Sequence, residues 1–288
     1  MQGVVAAALA VWSGGQWVAW FNGAAPPTRW EAPLPVVADA VTWTAGAPGV
    51  EVGRLRLSGR GEAWRVGVVL VRIDPAKVRW RLRWGMRDEI AKEWTIERAD
   101  SAALVAVNAG MFVGSGPFGW TVIDGIERHV YGSGALAPAF VVDSAGVAAL
   151  VPAESLYART RAGNVAMAFQ SYPELLRGDG EVPVMIRPAT AAIDLVHRDA
   201  RLAIGQLRDG KWLIALTRFE GAGGALSYLP FGLTIPEMSA LMGALGCTRA
   251  VSLDGGVSAQ LAARNADGTT TRWRGLRKVA LGLEVLAR

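Results

Sequence analysis

From residue 104 onward the chain is cut into short apolar runs, each stopped by a turn that contains glycine. Residues 104–107 (LVAV) stop at Asn108-Ala109-Gly110, residues 121–123 at Asp124-Gly125, residues 139–142 at Asp143-Ser144-Ala145-Gly146, and residues 249–253 at Asp254-Gly255-Gly256. Runs this short suit strands and are too brief for stable helices. Thirty-five glycines, spread along 288 residues, extend the same pattern and predict many tight turns. With 51% hydrophobic and 19% charged residues, the chain can bury the core of one large domain, or of a domain with an added subdomain.

The other segments fit the pattern. Residues 51–57 alternate with period two, and residues 64–73 are β-rich. Residues 78–84 place Val78, Trp80, Leu82 and Trp84 on one face and Arg79, Arg81 and Arg83 on the other, a core face backed by a solvated one. Residues 201–205 and 212–217 read as a hairpin around Asp209-Gly210, and residues 281–286 as a last strand. Helices are few. Residues 88–103 predict one, with Ile90, Trp94, Ile96 and Leu104 as its stripe. A second opens at Thr234 as N-cap, with Pro236 in its first turn and Glu237 completing a capping box, and ends at Gly246.

The expected fold is therefore α+β: a mixed, twisted β-sheet with packed helices and an N-terminal β-rich extension. Runs 104–107 and 249–253 are expected in one sheet. The predicted divisions are an apolar leader and linker over 1–34, the extension over 35–98, and the main domain over 99–288.

Ahead of Arg29 there is no charged side chain. Residues 3–12 form an apolar run of signal-peptide length without the usual basic flank, too short to span a bilayer. That favours a periplasmic or extracellular location, with a cytoplasmic one left open; the competing reading packs the segment on the domain. The net charge of +5 allows an anionic ligand, but the basic residues are scattered and carry no nucleic-acid-binding motif. The single cysteine, Cys247, excludes an internal disulfide and reads as a small core residue. His129 and His197 are the only histidines, each read as a surface residue, and no Cys/His set has zinc spacing.

Polar residues stand at or near several strand ends: Asn108, Arg201 and Asp254. There a rigid backbone can aim a side chain at a cleft. For Asp124-Gly125, Asp143 and Asp209-Gly210 an ordinary turn is the preferred reading. Asp254 differs, because apolar segments flank it on both sides.

Four segments occur in order: Asn108-Ala109-Gly110-Met111-Phe112, Arg201-Leu202-Ala203-Ile204-Gly205, Gly232-Leu233-Thr234-Ile235-Pro236-Glu237-Met238 and Leu253-Asp254-Gly255-Gly256-Val257-Ser258. Together they resemble the phosphodiester glycosidase family over roughly residues 100–286. Val257 stands where the family often has a third glycine, and Leu202 where it often has threonine.

The resemblance implies hydrolysis of the C1–O bond of a sugar phosphodiester in envelope or exopolysaccharide glycans, releasing sugar and a phosphate monoester. It implies Asp254 as the carboxylate near the anomeric carbon, Arg201 as a phosphate ligand and Asn108 as an orienting group. Gly110, Gly205, Gly255, Gly256 and Ser258 would surround phosphate or substrate. Asp124, Glu127, Glu220 and Glu237 are the candidates for a second carboxylate, Glu237 being better explained by capping. No cofactor is required; a calcium or magnesium ion on Asp254 and backbone oxygens is compatible with the residues. The competing readings are a non-catalytic envelope or carbohydrate-binding protein and a phosphodiesterase that cuts the P–O bond.

Overall fold

In the computed structural model the described residues are 8–88, 91–114, 116–132, 134–187, 193–221, 229 and 231–288. They are mostly strand. A nine-stranded sheet runs in the order Glu174–Leu176, Cys247–Leu253, Leu202–Leu207, Trp212–Phe219, Val66–Ile73, Val50–Ser58, Ala8–Ser13, Gln16–Asn22, with Thr42–Ala45 also on Val50–Ser58. A second sheet orders Ile126–His129, Thr121–Ile123, Val165–Gln170, Ala139–Asp143 and Ala148–Val151. The third orders Thr270–Trp273, Leu261–Arg264, Val105–Asn108, Leu281–Ala287 and Val78–Trp84.

Every strand pair in these sheets is antiparallel, so among the described residues the expected single mixed sheet is corrected to three antiparallel ones and a two-stranded ribbon, Phe112–Val113 with Gly116–Pro117. Runs 104–107 and 249–253 fall in different sheets, although their C-terminal ends meet. The cause is local. Tight Gly-containing turns return many strands beside their predecessors, and no long helical crossover is available to make neighbours parallel.

The nine-stranded sheet is buried on both faces. Val69 and Val71 join Trp80, Val107, Phe140, Phe169 and Leu283 in the core shared by the three sheets. Leu70 and Leu213 face the other way, under Met238, Leu241 and Met242 of the helix Ile235–Ala244. That is why residues 66–71 read as a continuous apolar run and not as an alternation. The helix starts as expected: the Thr234 hydroxyl accepts from the Glu237 N–H, and the Glu237 carboxylate accepts from the Thr234 N–H.

Three further expectations change. Within residues 88–103 the regular element is one short 3-10 turn, Ile96–Arg98; Glu89 and Ile90 lie outside the described residues. Trp94 and Ile96 are buried because the segment runs extended, Trp94 bridging Val279 and lying over Gly282. Within the expected leader, Ala8–Ser13 and Gln16–Asn22 form a hairpin at the far end of the large sheet, with Leu9, Val11 and Phe21 buried. The division at 98/99 is crossed by both sheets, since Val66–Ile73 pairs with Trp212–Phe219 and Val78–Trp84 with Leu281–Ala287. The N-terminal β-rich region is thus built into the same cores. On the strand Val78–Trp84, Val78, Trp80 and Leu82 are buried but Trp84 is exposed, and Arg81 is tied to Asp100 and to the buried Glu284.

Candidate functional site

Asp254 follows directly on Cys247–Leu253, which lies between Leu202–Leu207 and Glu174–Leu176 in the large sheet. Two bonds hold its backbone against the end of a strand of the third sheet, and a third fixes the Asn108 side chain that makes one of them. The Asp254 N–H donates to the Gly110 carbonyl (2.9 Å), and the Asn108 amide donates to the Asp254 carbonyl (2.7 Å). The other end of the Asn108 side chain accepts from the Gln260 N–H (2.9 Å). Asn108 is fully buried and both ends of its amide are used. It therefore positions the Asp254 turn. Removing it would strand buried partners, at about 1–3 kcal/mol.

The glycines serve close packing more than anion binding. A Cβ on Gly255 would stand 2.5 Å from the Ala200 carbonyl oxygen, and the Gly256 N–H already donates to that oxygen (2.7 Å). Gly205 sits mid-strand against Arg249, Cys247 and Met242, remote from the Asp254 pocket. Its expected place around the substrate is corrected to a packing role under the helix. The Gly110 carbonyl accepts from the Asp254 N–H.

The Asp254 side chain lines a pocket of about 250 Å3 with Asp199, Arg201, Asp194, Met111, Tyr172 and Gly255 among its walls. Burial pushes Asp254 up to about 6; a hydrogen bond from Ser258 and the charges of Lys92 and Arg277 oppose that, while Asp199 adds to it. Its Oδ2 is buried and has no hydrogen-bond partner among the described residues. Burial likewise raises Asp199, against the pull of Arg201. Arg201 donates through Nε to the Leu233 carbonyl (2.8 Å) and through Nη2 to the His197 carbonyl (2.6 Å), which fixes the guanidinium in the pocket wall.

None of the four candidate second carboxylates is here. Asp124 occupies a hairpin turn, Glu127 accepts from the Trp120 indole N–H, Glu220 packs on Gly67, and Glu237 caps its helix and binds Arg198. The carboxylate that shares this pocket with Asp254 and Arg201 is Asp199, with Asp194 also in the wall. Its signal was present: in extended chain Asp199 and Arg201 share a face. Lys92 and Arg277 were missed too. Lys92 lies 4.0 Å from the Phe112 ring centroid and 3.4 Å from the Gly114 carbonyl oxygen, above the ribbon that follows Met111. Burial lowers Lys92, the Asp254 charge acts against that, and Arg277 adds to the lowering. His197 is exposed, 3.7 Å from Asp199, and His129 lies outside the pocket. Among the described residues no group of three His, Cys, Asp or Glu side chains could hold a metal ion, and no helix is long and apolar enough to cross a membrane.

The arrangement sets two carboxylates, both raised by burial, beside a fixed arginine. The phosphodiester glycosidase profile matches residues 101–286, a span containing Asn108, Asp199, Arg201 and Asp254. The chain belongs to the phosphodiester glycosidase family. Among solved structures, the catalytic domain of zebrafish N-acetylglucosamine-1-phosphodiester alpha-N-acetylglucosaminidase, auto-inhibited by its pro-peptide, superposes with a TM-score of 0.62 at 16% identity. The match covers 92% of this chain and 97% of that one. A hypothetical protein from Synechocystis superposes with a TM-score of 0.54 at 15% identity, over 88% of this chain and 65% of that one. At such identities the likeness is one of fold. No curated protein matches the sequence. Of this family member's two departures, Val257 gives its carbonyl to the Leu276 N–H (2.6 Å), and Leu202 is a buried core residue.

Proposed function

We propose that the chain is a hydrolase that cleaves the C1–O bond of a sugar phosphodiester, with envelope or exopolysaccharide glycans outside the cytoplasm as its substrate source. Membership of the phosphodiester glycosidase family supports the reaction class. The observation that carries the site is the Asp254 carboxylate, buried, with one oxygen unpartnered, in a pocket shared with Asp199 and Arg201.

In this reading the Asp254 carboxylate faces the anomeric carbon and offsets the positive charge that develops as the C1–O bond breaks. The bond electrons leave with the phosphate monoester. Water supplies the oxygen that ends on C1, and its proton leaves through a carboxylate. Arg201, Lys92 and Arg277 oppose the phosphate charge. A phosphate monoester is a good leaving group, so protonating it is not the main demand. Asn108 and Ser258 hold Asp254 in place.

Hydrolysis in oxygen-18 water tests the reading. Label in the released sugar supports it. Label in the phosphate assigns a phosphodiesterase that cuts P–O, and binding of the sugar phosphodiester without product assigns a non-catalytic binder.

A further inference from the structure

The Asp254 pocket is not the roomiest cavity. A groove of about 550 Å3 opens between the strands Val50–Ser58, Val66–Ile73 and Trp212–Phe219 of the large sheet and Thr270–Trp273 of the third. That volume is within the roughly 300–1,000 Å3 of small-molecule sites. Its walls carry Arg54, Arg56, Arg218, Glu220, Trp273 and Trp12, a net formal charge of +2 from three arginines and one glutamate.

The charges are not all spent on each other. Arg56 and Glu220 approach to 3.5 Å in solvent, a weak pair. The Glu220 carboxyl rests on Gly67, where any Cβ would collide with it, so the acid is held to one wall. Arg54 lies 5.2 Å from the Trp273 ring centroid and has no carboxylate partner among the described residues. A cation over a partly buried indole sets an apolar surface and a fork for an anion side by side.

The groove also abuts the catalytic turn. A narrow gap beside that turn is lined by Ala200, Gly256, Val257, Arg218 and Arg274 among others, and Arg218 also lines the groove. The residue before Arg218, Thr217, accepts from the Arg201 N–H (2.7 Å).

We propose that this groove is a second subsite that binds the neighbouring phosphate-bearing sugar of a polymeric substrate, Trp273 against the ring and Arg54 on the phosphate. The inference rests on the hydrolase reading and narrows its substrate to chains of repeating sugar phosphodiesters. Binding energy gathered in the groove would act on the bond held at Asp254.

The test uses the full chain and synthetic 1,6-linked N-acetylglucosamine phosphodiesters of one and three repeats. Wild type is expected to show kcat/KM at least tenfold higher on three repeats. Arg54→Glu, an exposed change, and Trp273→Ala should each erase that preference and leave the one-repeat rate within twofold. No length preference in wild type, or a preference that survives Arg54→Glu, overturns the subsite. Should neither substrate turn over, the hydrolase reading fails separately, and calorimetric titration decides the groove. A tenfold weaker affinity of the Arg54→Glu protein for three repeats, with neutral chitotriose bound no better than by wild type, supports it. Equal affinity overturns it.

Discussion

Two of the Asp-Gly turns that follow apolar strands, at Asp124-Gly125 and at Asp254-Gly255, could hardly be used more differently. At the first, Asp124 and Gly125 both have positive φ (52° and 75°), and the next strand folds straight back, pairing Ile126 with Ile123. The carboxylate is in solvent. At the second, the chain leaves the large sheet, passes through the 3-10 turn Gly256–Ser258 and enters the third sheet at Leu261. The carboxylate is carried into the seam between two sheets. What separates a turn from a site is where the following strand goes.

Charge removal at the two aspartates gives the largest contrast. Asp254→Asn keeps the shape and removes the charge facing C1. Turnover should fall by about 10³-fold or more, roughly 4 kcal/mol of transition-state stabilisation, while substrate affinity stays within a few fold. Asp124→Asn should leave kcat within twofold. Steady-state kinetics on a sugar phosphodiester checks both. Full activity in Asp254→Asn, folded by circular dichroism, would remove the carboxylate from the mechanism.

Arg201→Ala comes next. It deletes a pocket charge and two donors to the Leu233 and His197 carbonyls. KM for a phosphodiester should rise about 10- to 100-fold, the weight of one or two charge-assisted bonds. A neutral aryl glycoside should show a much smaller change, and an equal loss on both substrates would mark Arg201 as a scaffold residue only.

These contrasts show what could be read from the chain. Asn108, Arg201 and Asp254 stand at or beside strand ends, and the polar-beside-glycine pattern exposes them. Strand partners were not legible: residues 104–107 and 249–253 have the same apolar character, yet they belong to different sheets. Asn108's role depends on the carbonyl it meets 146 residues away. Lys92 was obscured because Trp94 and Ile96 fit a helical stripe, although they are buried by extended packing.

pH gives a third contrast, with opposite signs for activity and stability. Burial holds Asp254 at about 6 when folded, against about 4 in an unfolded chain. If the ionised form is the active one, kcat/KM falls about tenfold per pH unit below 6 and is level above it. A fall above pH 6 would recast Asp254 as a general acid. For stability, a raised folded pKa means the native state holds its proton more tightly. The stabilisation is fully present below about pH 4 and is lost as pH rises through 6. Asp254→Asn should therefore be more stable than wild type at pH 8, by about 1–3 kcal/mol, with no advantage at pH 4. Urea unfolding at the two pH values measures it.

The smallest effects separate the two glycines. Gly125 has open space around it: a Cβ would meet only the Val165 carbonyl oxygen, at 3.8 Å, but φ is +75°. Gly125→Ala should cost about 1 kcal/mol through backbone strain alone, with catalysis unchanged. Gly255 has the reverse problem. Its φ of −95° is not left-handed, yet a Cβ would press on the Ala200 carbonyl, which also receives the Gly256 N–H. Backbone cannot swing aside as a side-chain tip can. Gly255→Ala should therefore cost more, about 2–3 kcal/mol of overpacking, and should shift Asp254 enough to lower kcat. If Gly125→Ala proves the more damaging of the two, the seam beneath Asp254 is looser than its contacts imply, and the tight clasp between strand ends is not what aims the carboxylate.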